Sequence, residues 1–425
     1  MKKLAIDGGT PVRIKPFPSH FPGASLIGEE ELKELADVVQ EKSPFRHYGI
    51  GNPQKVNTFE KEVCAFIGCK YALAVSSGTA ALSVAIAALG IGPGDEVIIP
   101  SMAWFSDYCA LINFGILPVF ADIGEDLNLD PEDFEKKITK NTKAVIPVSY
   151  QGVPAKMDEI MAIANKHNIP VIEDIAQAFG SDYKGKKLGT IGKISISSFQ
   201  THKMITCGEG GIVMTDDEQL FERAVRYHDL GTVRPYFQNL IKNKALLSED
   251  RCFAGQQLRM SELQGAFVLA QLRKIETVIN NCRHTSKIIT KNLVNNNLFT
   301  IRHTDGDCGI AFIMLFKEQA FCEYFMKALL AEGLECGPSS ACCNLMEKVP
   351  IKNKGMVNDS FPPFGKGFNG EKVVYDSLND CLSTNKIMNR VLAISIGPLF
   401  TEEDAQDIYE AINKVVCSVK EKGVN

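Results

Sequence analysis

The 425-residue sequence lacks the features that would place it in a membrane, outside the cell or on a nucleic acid. No apolar run reaches the roughly 20 residues that a membrane-spanning helix requires. The first nine residues, MKKLAIDGG, have no apolar core of the kind found in a secretory signal peptide. The formal net charge of −5 disfavours nucleic acid or an anionic membrane surface as the main partner. We therefore expect a cytoplasmic protein without either partner.

Cysteine is present, but not in a pattern that suggests disulfides or a metal site. The 13 cysteines are odd in number, contain no CxxC pair and are scattered through apolar segments. Reduced thiols in the protein core explain this distribution best. Cys336, Cys342 and Cys343 come nearest to a metal-binding group, but their spacing does not match that of zinc sites. No metal is expected.

Short apolar or β-branched runs alternate with helical stretches in the first half of the chain. Seven such runs predict strands at 71–76, 96–100, 118–121, 144–148, 170–173, 194–198 and 211–215. Asp130, followed by Pro131, is a typical helix start between two of them. Because the runs are continuous rather than alternating, the pattern predicts an α/β fold with a largely parallel sheet of seven strands. Ligands bind such sheets at the carboxyl ends of the strands.

The second half of the chain has a different pattern. One long helix is predicted from Met260 to about Asn296, followed by strands near 309–316 and 391–395 and helices at 321–332 and 401–416. We expect a large domain with an N-terminal arm at 1–280 and a small α+β domain at 281–425. The segments 45–52 and 337–372 are predicted loops, and the first is either a plain connector or a substrate-lining loop.

Two candidate sites follow the first two predicted strands. Ser77, Gly78 and Thr79 begin a helix, where free amides and the positive helix end can bind an anion. A helix cap without a ligand has the same appearance. Trp104, the only tryptophan, follows the strand at 96–100. It either fills the core or offers a flat face for a planar ring.

Two more candidate sites follow later strands. Glu173 and Asp174 close an apolar strand, where a carboxylate is costly to bury without a partner but can hold a protonated ring nitrogen. The alternative is an exposed turn. Lys203 lies between a strand and a glycine-rich turn, and Ser198 precedes it. Such a lysine can form a Schiff base, and the serine can hold a phosphate, although many lysines in this setting are only solvated. Together the four sites meet the requirements of pyridoxal phosphate.

The same motifs carry a family resemblance. In chain order they are Ser-Gly-Thr-Ala-Ala-Leu at 77–82, Glu-Asp-x-x-Gln at 173–177, Ser-Phe-x-x-x-Lys at 198–203, Gly-Glu-Gly-Gly at 208–211 and Arg-Met-Ser-Glu-Leu-Gln at 259–264. This set resembles the DegT/DnrJ/EryC1/StrS family of pyridoxal-phosphate-dependent sugar and cyclitol aminotransferases, from about Pro18 to the C-terminus. The resemblance implies the aspartate aminotransferase-like fold of type I transferases.

The resemblance also implies a role for each site residue. Lys203 would form the Schiff base and shuttle the proton, and Asp174 would pair with the ring nitrogen. The other cofactor contacts would be Gln177 at the ring hydroxyl, Trp104 stacked on the ring, and Gly78, Thr79 and Ser198 at the phosphate. Gln257 stands where the family has an asparagine that reaches in from a second subunit, which implies a homodimer with shared active sites. One methylene longer than asparagine, it could still donate to the phosphate.

The implied reaction moves an amino group from L-glutamate or L-glutamine to a keto or aldehyde carbon of a sugar, nucleotide sugar or cyclitol. A sugar dehydratase or deoxygenase of the same fold carries histidine in place of the lysine at 203, so Lys203 disfavours that alternative. The opening at 4–12 resembles cyclitol and aminohydroxybenzoate-type members, which leaves an aminohydroxybenzoate-synthase-like enzyme open. A non-catalytic regulatory relative is a further alternative, which the presence of Lys203, Asp174 and Gln177 disfavours.

Overall fold

A computed structural model of the chain describes residues 3–293, 297–338 and 343–421. Its helices are α1 (Glu29–Gln40), α2 (Lys55–Ile67), α3 (Gly78–Leu89), α4 (Phe105–Asn113), α5 (Pro131–Lys137), α6 (Met157–His167), α7 (Glu218–His228), α8 (Pro235–Leu240), α9 (Glu262–Leu272), α10 (Ile275–Leu293), α11 (Gln319–Ala331), α12 (Val349–Lys352), α13 (Leu382–Met388) and α14 (Glu402–Glu421). Its strands are β1 (Tyr71–Val75), β2 (Glu96–Pro100), β3 (Met102–Ala103), β4 (Leu117–Ala121), β5 (Thr142–Val145), β6 (Ile172–Asp174), β7 (Asp182–Tyr183), β8 (Lys186–Lys187), β9 (Ile194–Ser198), β10 (Gly211–Thr215), β11 (Phe299–Arg302), β12 (Ala311–Phe316), β13 (Cys343–Asn344) and β14 (Val391–Ser395).

The seven predicted strands of the first half all occur, and β2, β9 and β10 have the predicted bounds. They form a four-stranded sheet in the order β1-β10-β9-β6 and a three-stranded sheet in the order β4-β2-β5. β10 runs antiparallel to both of its neighbours, whereas the β6–β9, β2–β4 and β2–β5 pairs are parallel. Isolated parallel bridges join Val145 to Val171 and Val148 to Asp174, between the facing edges of the two sheets. The fold is therefore mixed α/β with parallel strands, and a single continuous sheet of seven strands stays a prediction.

Helices cover both faces of these sheets because successive strand residues point to opposite sides. In β2, Val97 and Ile99 pack into one buried cluster, together with residues of α3 and α7. Ile98, between them, packs into the other cluster, together with residues of α2, α6 and α9. With both faces covered, the strands can be apolar throughout, as their sequences are.

Two helix starts follow directly from the sequence. The Asp130 carboxylate accepts hydrogen bonds from the amides of Glu132 (2.8 Å) and Asp133 (3.2 Å) at the start of α5. Thr401 and Asp404 cap α14 reciprocally, since each accepts a bond from the other's amide, at 3.2 and 2.8 Å. Both signals are local, and the predicted starts of the helices at Asp130 and at residue 401 are confirmed.

The single long helix predicted from Met260 is wrong. The helix is interrupted at residues 273–274, between α9 and α10. Arg273 forms ion pairs with Glu34 (2.8 Å) and Glu62 (2.6 Å), and Lys274 pairs with Glu31 (2.5 Å). These acids lie on α1 and α2, so residues distant in the sequence form the ion pairs with Arg273 and Lys274 where the helix is interrupted. The predicted end near Asn296 lies outside the described residues.

The C-terminal part has its own antiparallel sheet, in the order β11-β12-β14. Residues of α10, α11 and α14 form a separate buried cluster with this sheet, and Leu4 of the N-terminal arm belongs to it. The arm is held there by polar contacts as well. The Ala5 amide donates to Glu332 (2.8 Å), and Arg13 pairs with Asp404 and Asp407, both at 2.8 Å. The arm therefore packs on the C-terminal elements.

No helix within 3–293, 297–338 and 343–421 combines the length and the apolar composition that crossing a bilayer would need. Of the three clustered cysteines considered above, Cys342 lies outside the described residues.

Candidate active site

A cavity of about 780 Å³ opens where β6 and β9 end and α3 begins. Seven of the eight predicted site residues line it, namely Gly78, Thr79, Trp104, Asp174, Gln177, Ser198 and Lys203. Gln257 does not belong to the lining and is exposed, paired through an isolated bridge with Asp229. The carboxyl ends of the strands thus bring together residues that are up to 125 positions apart in the sequence.

The start of α3 forms one wall as an anion cradle. The Ser77 hydroxyl caps this helix by accepting a bond from the Ala80 amide (3.1 Å), and the amides of the first helical turn have no partner within the helix. A Cβ atom on Gly78 would lie 2.7 Å from Ser198 Cβ and 3.0 Å from Ser198 Oγ. Only glycine therefore lets the Ser198 hydroxyl lie against the helix end, where an anion is favoured.

The two acids at the end of β6 have different roles. Glu173 accepts backbone hydrogen bonds from Gly189 (2.9 Å), Ile191 (2.7 Å) and Gly192 (2.6 Å). Burial raises the pKa of Glu173, and these three amides oppose the shift. Glu173 therefore anchors the loop after β8, and Asp174 is the acid that lines the cavity. The alternative interpretation of these acids as an exposed turn is ruled out, since both are buried.

Asp174 is 5% exposed, and its Oδ1 accepts a bond from the Ala176 amide at 2.8 Å. Burial raises the pKa of Asp174, while the Ala176 amide and the charge of Lys203 oppose the rise. Lys203 is half-buried in the turn after β9. Its amide donates to Gln200 (2.9 Å), and its carbonyl accepts from Gly23 (3.1 Å). A buried carboxylate and an amine thus share one cavity, each held by backbone contacts.

Trp104 is 59% exposed, which excludes the interpretation as a core filler. It directly follows β3, whose Ala103 pairs with Cys343 of β13. The Leu345 amide donates to the Ser101 carbonyl at 2.7 Å. The segment predicted as loop at 337–372 therefore contains the short strand β13 and the helix α12, and β13 pairs with the strand that immediately precedes Trp104.

Gln177 and Gln151 form a third polar element of the lining. Gln177 Oε1 accepts a bond from the Gln151 amide at 3.2 Å. Gln151 has a left-handed backbone, with φ at 46°, in the turn after Ser149. The Ser149 amide in turn donates to the Asp174 carbonyl at 3.0 Å. The carboxamide of Gln177 is thereby oriented by the backbone that also supports Asp174.

Several lining residues carried no signal in the sequence. They are His20, Phe21 and Pro22 of the arm, Ser106 and Asp107 of α4, Gln151, His202, and Ile310, Ala311 and Ser395 from the C-terminal part. The rings of Phe21 and His202 meet edge to face with centroids 4.4 Å apart. Asp107 is 1% exposed, and burial together with the charge of Asp174 raises its pKa well above the usual range. An acid in the first turn of a helix usually signals only a helix start, so the sequence alone did not identify it.

The sequence and the fold of this chain are similar to those of known proteins. The sequence model of the DegT/DnrJ/EryC1/StrS aminotransferase family matches residues 26–413. The spore coat polysaccharide biosynthesis protein SpsC of Bacillus subtilis (strain 168) is 38% identical over 261 residues, which are 61% of this chain and 65% of that protein. The match thus spans slightly less than two thirds of that relative.

Solved structures extend the likeness over nearly the whole chain. The aminotransferase from Psychrobacter cryohalolentis is similar with a TM-score of 0.78 and 26% identity, over 96% of this chain and 100% of that chain. The 3-amino-5-hydroxybenzoic acid (AHBA) synthase is similar with a TM-score of 0.77 and 23% identity, over 96% and 100%. At that identity the second likeness shows the fold alone.

Proposed function

Because the chain belongs to the DegT/DnrJ/EryC1/StrS aminotransferase family, we propose that it is a pyridoxal-phosphate-dependent aminotransferase. The amino donor would be L-glutamate or L-glutamine, and the acceptor a keto or aldehyde carbon of a sugar, nucleotide sugar or cyclitol. One observation carries the proposal: Lys203 lies in the same cavity as Asp174 and the cradle formed by Gly78 and Ser198. The fold by itself does not decide the reaction, since one fold hosts many activities.

The lining residues fit pyridoxal phosphate. The phosphate would bind the amides at Gly78 and Thr79 and the hydroxyl of Ser198, in the space that only a glycine at 78 leaves free. The exposed indole of Trp104 would stack on the ring, and Gln177 would donate to its hydroxyl. When bound, the cofactor supplies a carbonyl that reacts with amines and a ring that accepts electrons.

The chain itself would provide the charge and the proton transfer. The Asp174 carboxylate, buried and oriented by the Ala176 amide, would hold a positive charge on the ring nitrogen. Lys203 Nζ would take the proton from the α-carbon of the amino donor. The arm and the C-terminal residues that line the cavity would keep water from the reacting atoms and contact the acceptor.

The alternatives differ at identifiable residues. A dehydratase or deoxygenase would carry histidine at 203, and although His202 also lines the cavity, it is Lys203 that interacts with the charge of Asp174. A non-catalytic relative would not need a lysine and a buried acid in one cavity. An aminohydroxybenzoate-synthase-like activity shares the same residues and differs in its substrate.

We also propose a homodimer in which Gln257 of one copy reaches the cavity of the other, because Gln257 is exposed and lies outside its own cavity. The domain division proposed is 1–280 and 281–425. The separate sheet and buried cluster of the C-terminal part support it. The two parallel bridges between the four- and three-stranded sheets support one seven-stranded sheet in the large domain.

The test compares Lys203→Ala with Lys184→Ala, a control that removes an exposed lysine paired with Asp158. With pyridoxal phosphate and L-glutamate or L-glutamine, wild type should show a change in cofactor absorbance that Lys203→Ala lacks. Turnover should fall by about 10²–10⁴-fold or more in Lys203→Ala, because the proton carrier is lost, and should stay unchanged in the control. Full turnover by Lys203→Ala would contradict the proposal. Keto-sugars, keto-cyclitols and nucleotide keto-sugars are then screened as acceptors by the return of the original absorbance.

A further inference from the structure

Asp107 is an acid whose setting the reaction above does not explain. It lies in the first turn of α4, three residues after Trp104, and lines the cavity. Its side chain is buried, with 1% of the residue exposed. Among the residues that the structure describes, Asp107 is the only acid with both carboxyl oxygens buried and without a hydrogen-bond donor.

The neighbour of Asp107 is another acid. Asp107 and Asp174 are both buried and line one cavity with Lys203, and the charge of Asp174 helps to raise the pKa of Asp107. A carboxylate has no proton to donate, so two ionised carboxylates cannot form a hydrogen bond with each other. Two like charges in contact, away from water, are also strongly unfavourable. One proton shared between Asp107 and Asp174 would remove this repulsion.

The contacts decide which of the two holds the proton. Asp174 accepts a hydrogen bond from the Ala176 amide at 2.8 Å, which favours its ionised form, whereas the charge of Lys203 favours the ionised form of both acids. Neither Asp107 oxygen has a donor of this kind. The pKa of Asp107 is accordingly raised well above its usual range by burial and by the neighbouring Asp174. These contacts favour Asp107 over Asp174 as the acid that holds the proton.

We propose that Asp107 is a positioning residue that stays protonated, donates its O–H to the Asp174 carboxylate and so holds that carboxylate toward the ring nitrogen of the cofactor. The identity of the ring rests on the proposed function, whereas the shared proton is a property of the chain. A pair carrying one negative charge balances one cation, either Lys203 or a protonated ring nitrogen. If Asp107 and Asp174 were both ionised, one of the two negative charges would have no cation to balance it in the cavity.

Two substitutions distinguish whether Asp107 acts as a hydrogen-bond donor or as a negative charge. In Asp107→Asn the amide N–H can replace the O–H donor but cannot carry a negative charge. In Asp107→Leu a side chain of similar size has no donor. We expect Asp107→Asn to keep the dissociation constant for pyridoxal phosphate, measured by equilibrium dialysis, within about threefold of wild type, and Asp107→Leu to raise it by on the order of tenfold or more.

A second readout needs no cofactor and does not depend on the folding of Asp107→Leu. The infrared difference spectrum between cofactor-free wild type and Asp107→Asn should contain the C=O stretch of a neutral carboxylic acid. Its absence would overturn the inference, as would equal losses of affinity in Asp107→Asn and Asp107→Leu, or wild-type affinity in both. A wild-type protein that fails to bind pyridoxal phosphate would instead refute the proposed function, while the infrared band would still decide where the proton lies.

Discussion

The substitution Gly78→Ala tests the phosphate cradle through a single added methyl group. The new Cβ would lie 2.7 Å from Ser198 Cβ and 3.4 Å from Ser198 Cα. Carbon atoms pack best at about 3.5–4.0 Å, so the serine must move away from the start of α3 by nearly an ångström. Overpacking of this kind costs about 1–3 kcal/mol. If the cost falls on the cofactor-bound state, affinity for pyridoxal phosphate drops by roughly 5- to 150-fold.

Equilibrium dialysis measures that affinity, and urea unfolding of the cofactor-free protein shows how much of the cost falls on the fold. Gly92→Ala is the matched control, because a Cβ there meets nothing within 4 Å. Adding Ser198→Gly to Gly78→Ala removes the two closest atoms. Stability should then recover, while affinity stays low because the hydroxyl is gone. A Gly78→Ala protein with the wild-type dissociation constant and unfolding midpoint would refute the cradle.

Two further predictions concern stability. Arg13→Ala should lower the free energy of unfolding by about 3–5 kcal/mol, because it leaves the buried Asp404 without its cation. Lys15→Ala breaks an exposed ion pair with Glu403 and should lower it by at most about 1 kcal/mol. Denaturant titration measures both losses, and equal losses would contradict the anchoring of the arm by Arg13. Burial lowers the pKa of His228 to about 3. Since an unfolded histidine titrates near 6.5, the unfolded chain binds the extra proton first, and stability should fall as the pH drops below about 6.5. His228→Gln should reduce that slope, and an unchanged slope would count against a buried neutral histidine.

Local patterns were enough to predict most of the α/β fold. Continuous apolar runs located the seven strands, and the Asp130–Pro131 start located α5. The break at 273–274 could not be predicted in this way, because Arg273 and Lys274 are good helix formers. Their partners, including Glu34, lie more than two hundred residues earlier in the chain. Only the folded chain brings those charges together.

The same distinction applies to the candidate site. Asp174 ends β6 and Lys203 follows β9. Because ligands bind at the carboxyl ends of parallel strands, the sequence was enough to predict that these two residues lie in one site. Asp107 belongs to a helix start, where acids are common for reasons unrelated to chemistry. Nothing in its sequence context indicates that Asp107 lines the same cavity as Asp174. Its position becomes informative only with its burial and its lack of a donor.

The acidic pair at the end of β6 shows what the period of a strand can predict about a site and what it cannot. Neighbouring residues of a strand point to opposite faces, so Glu173 and Asp174 could not both face the cavity. The period does not say which one does. That choice follows from the glycine-containing turn at 189–192, whose amides satisfy Glu173 on one side. Asp174, left on the other side with one backbone donor, is therefore the carboxylate available to a cationic ligand.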